Sequence, residues 1–198
     1  MQEKSRIVSF DDEPLILVDK HDKILDYKTK AECHKGTGIL HRAFSIFIFN
    51  GRKQLLIQKR SRQKLLWPLF WSNSCCSHPR KGETYEDAVN RRLFEELGIE
   101  TPLVYLYKFV YQARFENIGS EYELCSVYLG SSDQPPVVNP NEIADWKYIA
   151  PEELDEHMAL NPDDYSPWFK MEWHSIRTEY IERFEKFLAS QGVEINKR

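Results

Sequence analysis

The sequence predicts an α+β protein in which a mixed β-sheet is sandwiched between helices. Three observations carry this prediction. Two apolar runs meet at Asn50-Gly51, as in a β-hairpin, and residues 83–97 follow a helical period that ends at a glycine. A long amphipathic segment then closes the chain. With 198 residues and 41% apolar composition, we expect one domain with a sizeable core.

The individual elements follow in chain order. Residues 14–18 predict a buried strand, and residues 43–50 and 54–59 a hairpin with a type I′ turn at Asn50-Gly51. The helix over residues 83–97 turns Ala88, Leu93 and Leu97 inward and stops at Gly98. Further strands are predicted at residues 103–114, 122–129 and 146–150, and a helix opens at Pro151.

The two ends of the chain are interpreted as additions to the same domain. Residues 1–29 are predicted to form an N-terminal extension, and residues 165–198 to carry a C-terminal amphipathic helix that runs from Ser166 to about Gln191. The helix is expected either to cap the active site or to serve as a dimer surface. The sequence leaves monomer and homodimer open.

Composition limits the partners and the compartment. The formal net charge of −4 argues against a general nucleic-acid binder, whose footprint would be basic. No apolar run reaches the roughly 18 residues of a membrane span, and the first residues lack the apolar core of a signal peptide. We therefore expect a cytoplasmic protein that binds neither membranes nor nucleic acid. Its cysteines are expected to be reduced: Cys33, Cys75, Cys76 and Cys125.

The most informative stretch runs from residue 67 to residue 98. It places Cys76 and His78 just ahead of a helix rich in glutamates, among them Glu83, Glu95 and Glu96. Helical carboxylates together with loop backbone oxygens can hold Mg²⁺, which favours oxygen ligands and substrate phosphates. The simpler interpretation is that these acidic residues cover a solvated helix face.

This helix resembles the Nudix box, a glycine followed by spaced glutamates and an arginine. Arg91-Arg92-Leu93-Phe94-Glu95-Glu96-Leu97-Gly98-Ile99 matches its second half. Ser77 stands where the box usually begins with glycine, and Arg92 replaces a glutamate that usually holds a hydrolytic metal. A box that exchanges a metal carboxylate for a cation has changed its chemistry.

Further motifs make the chain similar to type 1 isopentenyl diphosphate isomerases, which have the Nudix fold. They are Cys76-Ser77-His78-Pro79, Glu121-Tyr122-Glu123-Leu124-Cys125, the pair His34 and His41, Trp67-Pro68 before Trp71-Ser72-Asn73-Ser74, and Ser166-Pro167-Trp168. The resemblance spans residues 30–168. The implied activity is interconversion of isopentenyl diphosphate and dimethylallyl diphosphate. Tyr122 departs from the asparagine common in the Glu-any-Glu motif.

The resemblance implies an acid/base pair made of Cys76 and Glu123. Glu123 is expected to help protonate the alkene and Cys76 to remove a proton, with the roles reversed in the other direction. His78, a metal and the helix N-terminus are expected to lower the pKa of Cys76. Tyr111 is expected to assist Glu123, and Trp168 to stabilise the carbocation with its ring face.

The resemblance also implies two metals and a diphosphate site. A divalent ion, Mn²⁺, Zn²⁺ or Fe²⁺, is expected on His34, His41, His78, Glu121 and Glu123. Mg²⁺ would join the substrate diphosphate to Glu96 and the Cys76 backbone carbonyl. The diphosphate is expected to contact Lys30, Arg60, Lys64 and Arg92, with Trp71 as a further wall of the pocket.

Two alternatives remain in view. A Nudix hydrolase would share the fold and Mg²⁺, but it leaves Cys76, His34 and His41 without a role. A Nudix-like binding module that has lost catalysis, for example one that binds RNA, conflicts with the acidic charge and the intact acid/base set.

Overall fold

A single mixed β-sheet lies between two layers of helices in the computed structural model, which describes residues 6–191. The described strands are β1 (Pro14–Val18), β2 (Ile24–Thr29), β3 (His41–Phe49), β4 (Leu55–Arg60), β5 (Trp71–Ser72), β6 (Cys75–Ser77), β7 (Leu103–Phe115), β8 (Gly119–Ser131) and β9 (Ile143–Ile149). The described α-helices are α1 (Lys30–His34), α2 (Tyr85–Leu97), α3 (Pro151–Leu160), α4 (Pro167–Arg177) and α5 (Ile181–Ser190).

Strand β3 is the centre of this sheet. It pairs in parallel with β8 from His41↔Glu123 to Phe49↔Ser131. Its other edge is met in turn by β1 at His41, by β6 at residues 44–46 and by β4 at Phe49, all antiparallel. Because β3 is covered on both faces, it is apolar on both faces. The predicted mixed sheet is confirmed.

Each face of the sheet packs on its own helical layer. Helix α2 covers one face with Ala88, Val89, Leu93 and Leu97. Helices α3, α4 and α5 cover the other with Leu154, Phe169, Trp173, Ile176, Phe184 and Phe187. The prediction of a sheet sandwiched between helices is therefore confirmed, and the strands β6 and β8 run between the two layers.

Helix α2 begins and ends where its sequence signals predict. Thr84 accepts a hydrogen bond from the Asp87 backbone N–H, and the Asp87 carboxylate accepts one from the Thr84 backbone N–H, which completes a capping box. Gly98 ends the helix at φ 63°, a left-handed conformation that glycine adopts without steric cost.

The hairpin between β3 and β4 is present, but the predicted type I′ turn is wrong. The Lys53 N–H donates to the Asn50 carbonyl, and the positive φ falls on Lys53 instead of Gly51. The Asn50 side chain accepts from the Arg52 and Gln54 N–H groups. These side-chain hydrogen bonds support a connection between β3 and β4 that is longer than the two-residue loop of a type I′ turn.

The single long C-terminal helix predicted from Ser166 to about Gln191 is also wrong. Helix α4 ends at Arg177, and α5 starts at Ile181 after a break at residues 178–180. Tyr180 stacks on Tyr107 at 4.1 Å between ring centroids. The break lets α4 and α5 pack on the same face of the sheet. Residues 192–198 lie outside the described residues.

The described part of the predicted N-terminal extension joins the sheet. Strands β1 and β2 form a hairpin, and β1 pairs with β3. The Val8 carbonyl accepts hydrogen bonds from Arg80 and Arg92. Over residues 6–191, no helix has the length and apolarity that a membrane span requires.

Candidate active site

A cavity of about 590 Å³ opens between the N-terminal residues, β6, β8 and α4. Most of the residues that the sequence predicts for the site line it. They are Lys30, His34, Arg60, Lys64, Cys76, His78, Arg92, Tyr111, Glu121, Glu123 and Trp168. Segments that are distant in sequence therefore meet at one place.

The five predicted metal ligands form one buried cluster. Their candidate ligand atoms all lie within 4.8 Å of one another. The histidines come from the end of α1, the start of β3 and the residue after β6, and the glutamates share one face of β8. The residues of this cluster that could hold a metal ion are His34, His41, His78, Glu121 and Glu123.

Close packing at the start of β8 brings the glutamates to the histidines. A Cβ atom on Gly119 would lie 2.6 Å from the His34 backbone oxygen, so only glycine fits here without a shift. Two residues later, Glu121 Oε2 lies 2.7 Å from His34 Nε2.

Backbone carbonyls orient two of the imidazoles. His34 Nδ1 donates to the Lys30 carbonyl at 2.7 Å, and His41 Nδ1 donates to the Ile39 carbonyl at 2.7 Å. Because a carbonyl only accepts, each Nδ1 carries hydrogen and each Nε2 turns toward the cluster. His41 Nε2 is buried and has no hydrogen-bond partner among the described residues. Such an orphaned nitrogen fits a metal ligand.

Burial and ion pairing set the pKa values of the cluster, and pairing with Glu121 outweighs burial to raise the pKa of His34. Burial and the neighbouring His34 lower the pKa of His41 to about 4. Burial likewise lowers the pKa of His78. Burial alone would raise the pKa of Glu121, but the pairing with His34 outweighs it and lowers this pKa to about 2. Neutral imidazoles with an anionic carboxylate are a donor set compatible with a divalent metal ion.

Glu123 connects this cluster to the predicted acid/base pair. His78 Nε2 lies 2.8 Å from Glu123 Oε1, and the Tyr111 hydroxyl donates to Glu123 Oε2 at 2.6 Å. Burial and the nearby Glu121 raise the pKa of the Glu123 carboxyl well above its usual range. The Glu123 carboxyl thus holds a proton more tightly than an exposed carboxyl does, and a divalent ion bound at the cluster would oppose this effect.

Cys76 lines the same cavity from β6. Its Sγ lies 3.9 Å from Arg60 Nη1. Burial raises the pKa of the thiol to about 12, and Arg60 offsets only part of this effect. His78 and the helix N-terminus therefore do not produce the predicted lowering of this pKa, and the contribution of a bound metal stays a prediction. Cys75, Cys125 and Cys33 are buried free cysteines outside the cavity lining.

Trp168 forms a buried aromatic wall of the cavity. The Trp67 ring meets it edge-on at 5.3 Å and 87°. The Arg60 guanidinium lies 5.0 Å from the Trp168 ring centroid. Trp71, in contrast, does not line the cavity: its ring faces Lys59 and Lys147 at 5.7 and 5.1 Å. The prediction that Trp71 forms a pocket wall is not supported by this position.

Three of the four cations predicted for the diphosphate form a cluster. Lys30 is buried beside Ser9, and burial and the neighbouring Lys64 lower its pKa. Arg92 contacts the Glu96 and Glu142 carboxylates, and Lys64 contacts Glu142. The carboxylates of Glu96 and Glu142 thus offset the electrostatic repulsion between the cations of this cluster.

Arg60 differs from the other three cations. Its guanidinium donates to the Trp67 and Leu66 carbonyls at 3.0 and 2.9 Å. These bonds tie the residue 60–67 loop to β4. Arg60 therefore reaches the cavity beside Cys76 and Trp168.

Glu96 is buried beneath the cavity and does not line it. Burial raises its pKa, while the ion pair with Arg92 opposes this. Glu142, which no motif in the sequence indicates, lines the cavity as the partner of Lys64 and Arg92. Glu142 lies in a polar loop, and no sequence pattern around it indicates that it forms ion pairs.

Comparisons with known proteins show which proteins this chain is similar to. The family model described as the NUDIX domain matches residues 39–169. Isopentenyl-diphosphate Delta-isomerase 1 of Photorhabdus laumondii is 41% identical over 174 residues, covering 86% of this chain and 98% of that protein. The isopentenyl-diphosphate delta-isomerase of Schizosaccharomyces pombe is 36% identical and covers 81% of this chain and 80% of that protein.

Solved structures are similar in fold. The crystal structure of DR0079 from Deinococcus radiodurans matches with a TM-score of 0.62 and 27% identity, covering 75% of this chain and 90% of that one. The MutT protein from Methanosarcina mazei matches with a TM-score of 0.56 at 14% identity, covering 74% of this chain and 94% of that one. The second likeness concerns the fold alone.

Proposed function

Because the chain belongs to the isopentenyl-diphosphate Delta-isomerase family of NUDIX-domain proteins, we propose that it interconverts isopentenyl and dimethylallyl diphosphate in isoprenoid biosynthesis. One observation carries the proposal: a carboxyl and a thiol, Glu123 and Cys76, line the same cavity as the aromatic ring of Trp168. Moving a double bond requires one proton to be added and another removed.

In this reaction Glu123 delivers a proton to the terminal alkene carbon with the help of the Tyr111 hydroxyl. The developing tertiary cation lies against Trp168, whose ring face stabilises a desolvated cation by about 2 kcal/mol. In this direction Cys76 acts as the thiolate, which the nearby Arg60 guanidinium would stabilise, and it accepts a proton from the carbon next to the cation to become the thiol. The reverse direction exchanges the roles of acid and base.

The diphosphate lies among Lys30, Lys64 and Arg92, with Arg60 beside the hydrocarbon. Mg²⁺, with Glu96 and the Cys76 carbonyl as protein ligands, would neutralise part of the phosphate charge, and Glu96 would then exchange its ion pair with Arg92 for the metal. The His/Glu cluster would hold Mn²⁺ or Zn²⁺, which would fix Glu123 and tune its proton affinity. Glu142 keeps Lys64 and Arg92 in place before the substrate arrives.

Arg92 also distinguishes isomerisation from hydrolysis. Its guanidinium contacts both Glu95 and Glu96, the carboxylates of α2 that a hydrolytic metal centre would use. A cation at this position suits the binding of a diphosphate that stays intact.

The test is proton NMR of isopentenyl diphosphate incubated with the protein, Mg²⁺ and fresh reductant in D₂O, repeated with Mn²⁺ and Zn²⁺. We expect dimethylallyl diphosphate with deuterium in its methyl group. Release of phosphate or monophosphate without isomer would establish a hydrolase instead. A spectrum unchanged under every metal would leave the binding module as the interpretation.

A further inference from the structure

The motif Trp71-Ser72-Asn73-Ser74 has no role in the chemistry above, yet it contains unusually buried polar groups. Ser72, Asn73 and Ser74 are each 0% exposed, as is Ser166 ahead of α4. Burying a hydroxyl or an amide stabilises a fold only when its hydrogen bonds are made, so an apolar core would serve stability equally well. The polar groups here call for another explanation.

Their hydrogen bonds converge on one indole. Trp168 Nε1 donates to both Ser72 Oγ at 3.1 Å and Asn73 Oδ1 at 3.3 Å. Ser72 Oγ also donates to Asn73 Oδ1 at 3.0 Å and meets Ser166 Oγ at 3.1 Å. Because the indole N–H is shared between two fixed acceptors, the plane of the Trp168 ring is restrained. With a single acceptor the ring could tilt more freely about that hydrogen bond.

The same network reaches the strand that carries Cys76. Asn73 Nδ2 donates to the Cys75 carbonyl at 2.8 Å and to the Ile46 carbonyl at 3.3 Å. Asn73 therefore bonds to the ring of Trp168 on one side and to the backbone next to Cys76 on the other. The relative position of ring and thiol is set through one side chain.

Another tryptophan of α4 provides a contrast. Trp173 Nε1 donates to Asp155 Oδ1 at 2.7 Å, and its ring packs on Phe47 and Phe184 in the core. Trp173 does not line the cavity. Its acceptor is a half-exposed carboxylate on α3, whereas the acceptors of Trp168 are fully buried.

We infer that Ser72 and Asn73 are positioning residues that hold the Trp168 ring face toward the substrate carbon on which positive charge develops. The inference rests on the proposed role of Trp168 in isomerisation. Because ring–cation attraction depends on the cation lying over the ring face, a tilted ring loses it while the ring remains in the cavity.

The decisive experiment is a double-mutant cycle between Ser72 and Trp168, measured by kcat and KM for isopentenyl diphosphate. Ser72→Ala is expected to lower kcat about fivefold to tenfold and to change KM less than about twofold. Trp168→Phe is expected to lower kcat at least about tenfold. In the Trp168→Phe background, Ser72→Ala should have no further effect, because the N–H that Ser72 accepts from is gone.

A matched control separates positioning from packing. Asp155→Ala removes the acceptor of Trp173 in the same way and should leave kcat unchanged. Ser72→Cys keeps the side-chain volume with a weaker acceptor, so it serves as the gentler variant if Ser72→Ala unfolds. The ¹⁵N–¹H resonance of the Trp168 indole should shift in Ser72→Ala and Ser72→Cys and stay in place in Asp155→Ala.

Additive losses in the cycle would overturn the inference, as would a raised KM with unchanged kcat or an unmoved indole resonance. These outcomes differ from a failure of the proposed function. In that case the wild-type protein itself would produce no dimethylallyl diphosphate.

Discussion

Cys76 and Glu123 are the two groups of the cavity that the proposed reaction uses as acid and base. Burial raises the pKa of both groups, and each also has a polar neighbour, Arg60 or Tyr111, that orients it. A group that keeps its proton at neutral pH in a dry site can donate it to a weakly basic alkene.

Removal of either group should abolish turnover. Cys76→Ala and Glu123→Gln are each expected to lower kcat by at least about 10²-fold with an unchanged circular dichroism spectrum. Initial rates from proton NMR in D₂O provide the measurement. Cys33→Ala changes a buried cysteine outside the cavity lining and should keep near-normal turnover. Near-normal turnover of either active-site variant would contradict its role.

Glu172 is a buried carboxyl outside the proposed mechanism, and the sequence gives no sign of its burial. Its Oε1 lies 3.4 Å from Cys125 Sγ, and burial raises its pKa to about 8. The folded protein therefore keeps a proton on Glu172 that the unfolded chain releases above about pH 4.5. Stability from this group is complete below that pH and declines as the pH rises toward 8.

Glu172→Gln should remove this decline. Between pH 5 and pH 8 we expect the wild-type free energy of unfolding to fall relative to the variant by up to about 1.4 kcal/mol per pH unit. Urea unfolding at pH 5, 6.5 and 8 measures both slopes. Parallel slopes would mean that Glu172 is ionised in the folded protein.

At the scale of elements, short strands and one short helix do most of the positioning. Helix α1 has five residues and ends on His34, and β6 has three residues and carries Cys76. Both depend on neighbours: α1 packs against the start of β8, and β6 pairs with the middle of β3. Propensity alone would not form such short elements.

Helix α2, in contrast, carries its own signals, and its cap should contribute stability without catalysis. Thr84→Ala removes the capping-box hydroxyl and is expected to cost about 1 kcal/mol of unfolding free energy, with kcat unchanged. Chemical denaturation measures the loss. Asn90→Ala, at an exposed interior position of the same helix, should be neutral or slightly stabilising. Equal losses in both variants would argue against the cap.

At the scale of the whole molecule, the His/Glu cluster joins α1, β3, β6 and β8. A metal bound there would connect segments from residue 34 to residue 123. Binding to the folded state alone stabilises it by mass action, independently of the reaction.

Mn²⁺ or Zn²⁺ should therefore raise the melting temperature of the protein. At about 100 times Kd the gain is about 2.7 kcal/mol, which corresponds to roughly 5–10 °C for a chain of this size. Differential scanning calorimetry with and without chelator measures it. His41→Ala should lose the shift, while His157→Ala, outside the cluster, should keep it. A shift retained by His41→Ala would place the metal elsewhere.

Local patterns in the sequence determined the strand and helix identities, the sandwich and the family motifs. Periodicity, the Thr84 cap and the Gly98 stop act over a few residues and can be read directly. The family resemblance likewise implied that three histidines and two glutamates belong together. No local pattern, however, predicts which distant groups a side chain contacts in the folded protein.

Only the tertiary structure decided the contacts made across the sheet. In the folded protein Trp71 lies outside the cavity, and Arg60 donates to the Leu66 and Trp67 carbonyls. Glu142 forms ion pairs with Lys64 and Arg92. The C-terminal helix is broken so that α4 and α5 both cover one core. Burial, which raises the pKa of Cys76 and Glu123, is a property of the assembled fold, because the desolvating atoms come from distant segments.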